Sequence, residues 1–146
     1  MAFLLDTDTF SHYLRNNATV VAHFEENCNN CYLSAVTARE LLKGALATVT
    51  DAESPNPRFR VSVPDAYRLL TSMLMGIAEI PLLPFDDQAE ALFQSLPKAA
   101  HRIGPRDCRI AASAIIRGLT VVTANTQDFE RIAESLPGLS LADWTR

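Results

Sequence analysis

Ile103-Gly104-Pro105-Arg106-Asp107-Cys108-Arg109-Ile110-Ala111-Ala112 leads, a few residues on, into Gly118-Leu119-Thr120-Val121-Val122-Thr123-Ala124-Asn125. Ile110, Ala111, Ala114 and Ile115 recur at helical spacing, so residues 106–117 are expected to form a helix. Gly118 follows its last turn and suits the left-handed position just past a helix end. Residues 119–123 are apolar and β-branched, the composition of a strand buried on both faces. Another short helix is expected over residues 126–135, then a strand at Leu139-Ser140-Leu141, ahead of Trp144. Strand and helix alternating in this way point to a parallel sheet covered by helices.

The same alternation holds toward the N-terminus. Residues 2–6 read as a buried strand, 9–17 as a short helix and 19–27 as a second helical patch. A strand over 31–36 and an amphipathic helix over 37–49 follow. Residues 51–64 carry three prolines and few core residues, so a surface loop is expected there. Residues 65–78 read as a helix with Tyr67, Leu70, Leu74 and Ile77 on one face. A short strand over 80–85 precedes a helix opened by Asp86 and Asp87, the latter followed by Glu90, and running to about residue 96. The expected fold is α/β: one domain over 1–146, with a mostly parallel sheet of four or five strands flanked by helices on both faces.

Composition narrows the class. The 146 residues suffice for one core, and 48% hydrophobic with 21% charged is ordinary for a soluble globular chain. No apolar run approaches the roughly 20 residues that span a bilayer. Met1-Ala2-Phe3-Leu4-Leu5-Asp6 has no basic region and meets an acid early, unlike a signal peptide, so a cytoplasmic location is expected. A net charge of −4 argues against nucleic-acid binding through a broadly basic surface, and suits a basic partner. Cys28-Asn29-Asn30-Cys31 has the spacing of a zinc or redox pair. No second pair completes a zinc site, so a plain connector into the next strand is the better reading.

Asp6, Glu40 and Asp107 each stand where a strand meets a helix. Open parallel sheets collect ligands at the carboxyl ends of their strands. Three acids delivered there would converge on one hard cation such as Mg²⁺ or Mn²⁺. Asn125 follows the strand 119–123 to the same edge, with Asp128 one helical turn further on. Clustered like charges are costly unless a cation neutralises them. Each acid also has a local explanation. Asp6 can cap the following helix, Thr37-x-x-Glu40 matches a capping box, and Asp107 suits a helix N-terminus. Taken alone, capping is the better reading of Glu40. Arg39, Lys43, Arg106 and Arg109 flank the acids and either hold substrate phosphates or form a solvated helix face.

Phe3-Leu4-Leu5-Asp6-Thr7-Asp8, Glu40-Leu41-Leu42-Lys43-Gly44-Ala45, the run 103–112, the run 118–132 and Leu141-Ala142-Asp143-Trp144 follow one another in an order that resembles a PIN-domain nuclease of the VapC toxin type. The resemblance implies an endoribonuclease using Mg²⁺ or Mn²⁺, with Asp6, Glu40 and Asp107 holding the metal. It also implies a homodimer, an RNA substrate and a cognate basic antitoxin. The family often places a fourth acid where this chain has Asn125, so Asn125 or Asp128 completes the catalytic set. Two rivals stand beside this reading. One is a PIN-like binding module that has lost catalysis. The other is a haloacid-dehalogenase-type phosphatase, suggested by Asp6-Thr7-Asp8-Thr9 but lacking the late Gly-Asp-x-x-x-Asp segment.

Overall fold

Phe3, Leu4 and Leu5 form β1 (Phe3–Leu5), and their alternate side chains divide the molecule into two cores. The computed structural model describes residues 1–146. Successive strand side chains point to opposite faces. Leu4 therefore enters one core with Val121, while Phe3 and Leu5 enter the other with Leu33 and Val122. The chain continues through α1 (Thr7–Leu14), α2 (Ala18–Asn27), a 3₁₀ turn (Cys28–Asn30), β2 (Cys31–Ser34), α3 (Ala35–Ala52) and α4 (Val63–Ala78). Then come β3 (Leu82–Leu83), α5 (Asp87–Ser95), α6 (Lys98–Ile103), α7 (Pro105–Arg117), β4 (Thr120–Val122), α8 (Thr126–Ala133) and β5 (Ser140–Ala142).

The five strands lie in the order β3-β2-β1-β4-β5, every neighbouring pair parallel. Leu4 stands opposite Tyr32 and Val121, and Leu5 opposite Leu33 and Val122. One face is covered by Phe93 of α5, Ala100 of α6, Ile110, Ala111 and Ala114 of α7, and Phe129 and Ile132 of α8. The other is covered by Phe10 of α1, Val20 of α2 and Leu41 of α3, with Trp144 set edge-on to Phe3 at a ring separation of 5.2 Å. Chain order steps outward from β1 to β3, then returns to the opposite side of β1 for β4 and β5. The switch point between β1 and β4 opens a crevice at their carboxyl ends. No helix is long and apolar enough to cross a membrane.

Five local expectations change. The helix expected over 37–49 begins earlier, because Ser34 caps it by accepting from the Val36 N–H at 3.1 Å, and it runs on to Ala52. The loop expected over 51–64 is thus shortened at both ends. Asp51 ties it back by accepting from the backbone of Arg58 and Phe59, and α4 starts at Val63 behind the Ser62 cap. Residues 98–103 form a helix that sequence periodicity does not reveal, since only Ala100 is fully buried in it. The face expected on α4 also divides. Ala66 and Gly76 are buried and Met73 and Ile77 pack on the core, whereas Tyr67 and Leu74 are exposed at 45% and 49%. Asp86 caps α5 as expected, accepting from the Ala89 N–H, but Glu90 turns to Gln94 and Arg109 rather than to the cap.

Cys28 and Cys31 are free thiols, the first exposed and the second buried. Burial pushes the Cys31 thiol up to about 11, and it donates to the Asn27 carbonyl. Cys31 is a core residue at the start of β2, as the connector reading holds.

Candidate active site

Asp6 leaves β1 at the switch point and is almost wholly buried. Its backbone N–H donates to the Val122 carbonyl at 3.0 Å, and the Thr9 hydroxyl donates to the same oxygen at 3.0 Å. These bonds tie the end of β1 to the end of β4. The Asp6 carboxylate caps α1, accepting from the Thr9 N–H at 2.8 Å. Burial raises its pKa, opposed by hydrogen bonds from Thr123 and Thr9. Capping and a place in the site therefore coexist in one residue.

Glu40 does not cap anything. Ser34 holds that position, which leaves Glu40 more than a turn inside α3. Its Oε2 accepts from the Thr7 hydroxyl at 3.0 Å, and its Oε1 pairs with Arg106 at 3.1 Å. Asp107 stands in the first turn of α7, behind Gly104, whose backbone supplies no side-chain cap. Its pKa is pushed up to about 6, first by burial and then by the charges of Asp6, Glu40, Asp8 and Asp128. That repulsion is the electrostatic mark of carboxylates gathered from four separate segments of the chain.

Asp6, Glu40, Asp107 and Asn125 line one cavity of about 270 Å³. Asp8 lines it too and was missed as a site residue in the sequence; its place one helical residue beyond Thr7 was the available signal. Asp128 is not in the wall. It accepts from the Asn125 side-chain N–H at 2.9 Å and lies 3.7 Å from Arg131, so it acts on the cavity through Asn125.

The basic residues separate. Arg106 belongs to the cavity wall and also to an adjoining groove of about 440 Å³, shared with Arg39, Arg109 and Phe85. Arg109 is fixed there, 3.9 Å above the Phe93 ring and 3.4 Å from Glu90. Lys43 is exposed on α3 and lines neither the cavity nor the groove.

Carboxylate oxygens suit a small hard cation, and the raised Asp107 is a group that such a charge would relieve. As they stand, no three His, Cys, Asp or Glu side chains are close enough together to hold a metal ion. Glu40 is drawn toward Arg106 and Thr7. Asp6 and Asp107, with Glu40 turned from its present partners, would be the carboxylates to hold it.

Fold and site together define an α/β protein with an acidic cavity at the switch point of a five-stranded parallel sheet. The PIN domain model matches residues 3–135, and the chain belongs to that family. Over 149 residues it is 30% identical to the tRNA(fMet)-specific endonuclease VapC of Salmonella typhimurium, covering 99% of this chain and 98% of that protein. The crystal structure of DNA-bound VapBC from Salmonella typhimurium superposes with a TM-score of 0.75 at 30% identity, over 99% of this chain and 98% of that one. VapBC2 from Rickettsia felis, bound to a DNA fragment from their promoter, gives 0.73 at 20% identity over 99% of both chains. At that lower identity the likeness is one of fold.

Proposed function

We propose that this chain is a Mg²⁺- or Mn²⁺-dependent endoribonuclease, the toxin of a toxin–antitoxin pair, acting in the cytoplasm. The observation that carries the reading is the gathering of Asp6, Glu40, Asp107 and Asp8 around one cavity, together with overall similarity to a VapC endonuclease at 30% identity. When bound, the cation supplies Lewis acidity that activates water and stabilises charge on the scissile phosphate. Asp6, held in place by the Thr9 N–H, and Asp107 would hold the cation, and Glu40 would join them. Asp8 has no side-chain partner and stands free in the wall to take the proton of the attacking water. Asn125, fixed through Asp128, offers a neutral oxygen at the rim. Arg39 and Arg106 steer substrate phosphates along the groove, and Arg109 with Phe85 forms its wall.

The relative from Salmonella typhimurium is specific for tRNA(fMet), which makes tRNA the first substrate to try. The test is cleavage of purified tRNA with Mn²⁺ and with chelator, by wild type and Asp6→Asn. Metal-dependent cleavage lost in Asp6→Asn supports the nuclease. Binding of RNA with no cleavage under any metal would instead leave the non-catalytic module, the reading that Asn125 motivates.

A basic antitoxin and a second copy of the chain are the proposed partners. Tyr67, Leu69, Leu74 and Met75 expose apolar surface along α4. The net charge of −4 suits a basic partner. A monomer by light scattering at high concentration would remove the homodimer.

A further inference from the structure

Both carboxylate oxygens of Glu40 are already engaged, one by Thr7 and the other by Arg106. The acids share a cavity, and as they stand no three of them are close enough together to hold a cation. Arg106 has no other side-chain partner. Its side chain is 53% exposed and that of Glu40 30%, so the pair is weakly held and readily exchanged. Arg106 also stands at the junction between the acidic cavity and the groove that holds Arg39. Arg39 itself is exposed on α3 and forms no ion pair. A guanidinium released from Glu40 at this junction has a second destination beside Arg39, where two such groups can grip a phosphate.

We propose that Arg106 is a positioning residue that holds Glu40 off the cation position in the resting protein and exchanges it for a substrate phosphate. The proposal rests on the metal-dependent reading above. In the resting protein the guanidinium is a built-in counter-charge for Glu40, limiting the repulsion of a cavity that also holds Asp6, Asp8 and Asp107. Cation binding must displace it, so Arg106 competes with the cation for Glu40. The displaced guanidinium then faces the groove. Loading of the site and grip on the strand are thereby coupled through one side chain.

Calorimetric titration of Mn²⁺ into wild type, Arg106→Gln, Glu40→Gln and the double variant tests this without reference to activity. Arg106→Gln should bind Mn²⁺ roughly two- to fivefold more tightly, the range expected for loss of a competing ion pair at a partly exposed site. In the Glu40→Gln background the same change should have little effect, because there is no carboxylate left to release. Equal tightening in both backgrounds would mean that Arg106 acts only as a diffuse charge, and would overturn the proposal. So would unchanged or weaker binding in Arg106→Gln while wild type binds. Absence of Mn²⁺ binding in every variant would overturn the metal-dependent reading itself and this inference with it. Thermal melts of the four proteins establish that each is folded, since the pair lies at the surface.

Discussion

Asp6 caps α1 and lines the acidic cavity with the same carboxylate, so substitutions there separate structure from chemistry. Asn keeps an oxygen for the Thr9 N–H and removes a buried charge. Asp6→Asn should therefore melt no lower than wild type while losing at least about a hundredfold in RNA cleavage. Asp6→Ala should lose the cap as well, at about 1 kcal/mol of stability, which thermal denaturation would report. Asp107 sets the pH behaviour. Its pKa rises from 3.8 to about 6 in the folded protein, so the native state holds a proton that the unfolded chain releases. The contribution of Asp107 to stability in chelator should accordingly be full below about pH 4 and be lost as pH rises through about 6. Full conversion of the shift gives roughly 3 kcal/mol, and solvent screening of a half-buried group reduces this to on the order of 1–2 kcal/mol. Saturating Mn²⁺ should abolish the fall, a result readable from melts across pH. Asn125→Asp would turn a 2.9 Å hydrogen bond with Asp128 into a like-charge contact. The metal-free variant should melt lower than wild type and gain more from Mn²⁺. Asp128→Ala should weaken Mn²⁺ binding less than Asp107→Ala, because Asp128 reaches the cavity only through Asn125.

At the scale of elements, α7 and β4 are the best-determined part of the chain. Gly118 adopts φ 66°, ψ 36° immediately after α7, the left-handed position that its place in the sequence suggested. A Cβ there meets no neighbour, so Gly118→Ala should cost only the backbone strain, about 1–2 kcal/mol. Phe129→Ala in α8 removes a fully buried ring and should cost about 3–5 kcal/mol, a difference that urea denaturation resolves. Comparison of the two separates a local conformational demand from a packing demand. Elements with a strong buried stripe or a clear stop were legible: β1, β4, α7 and the Asp86 cap of α5. Helix α6 was not, because six residues with one fully buried alanine carry no period. The start of α3 was misplaced because Thr37 and Glu40 offer a capping pattern that Ser34 pre-empts. Gly76 shows what a sequence cannot signal. It lies where α4 crosses α1, and a Cβ there would come within 2.6 Å of the Leu14 side chain.

For the whole molecule, the strand order matters most. Because β1 lies between β2 and β4, the turns leaving β1 and β4 diverge, and Asp6 and Asn125 emerge on either side of one crevice. Helices α3 and α7, which cover opposite faces of the sheet, then deliver Glu40 and Asp107. Assembly is the remaining question at this scale. Leu74 is exposed on α4, so Leu74→Asp should leave the melting temperature near that of wild type while weakening self-association or antitoxin binding by tenfold or more. Light scattering and a binding titration with the antitoxin check both arms.

The sequence by itself determined the fold class and most of the acidic set. Apolar β-branched runs make buried strands wherever they fall, and carboxylates at strand ends are carried to the sheet edge by the backbone alone. Only the tertiary structure decided which reading of each acid holds. Ser34, not Glu40, caps α3, Asp6 both caps α1 and lines the cavity, Asp8 entered the cavity wall and Asp128 remained behind Asn125. It also separated Arg106 from Lys43, though both flank acids in the chain. Local pattern specifies which element a residue occupies. The direction of a side chain across a cavity depends on how α3, α7 and the loop after β4 pack around β1, and those are contacts between residues far apart in sequence.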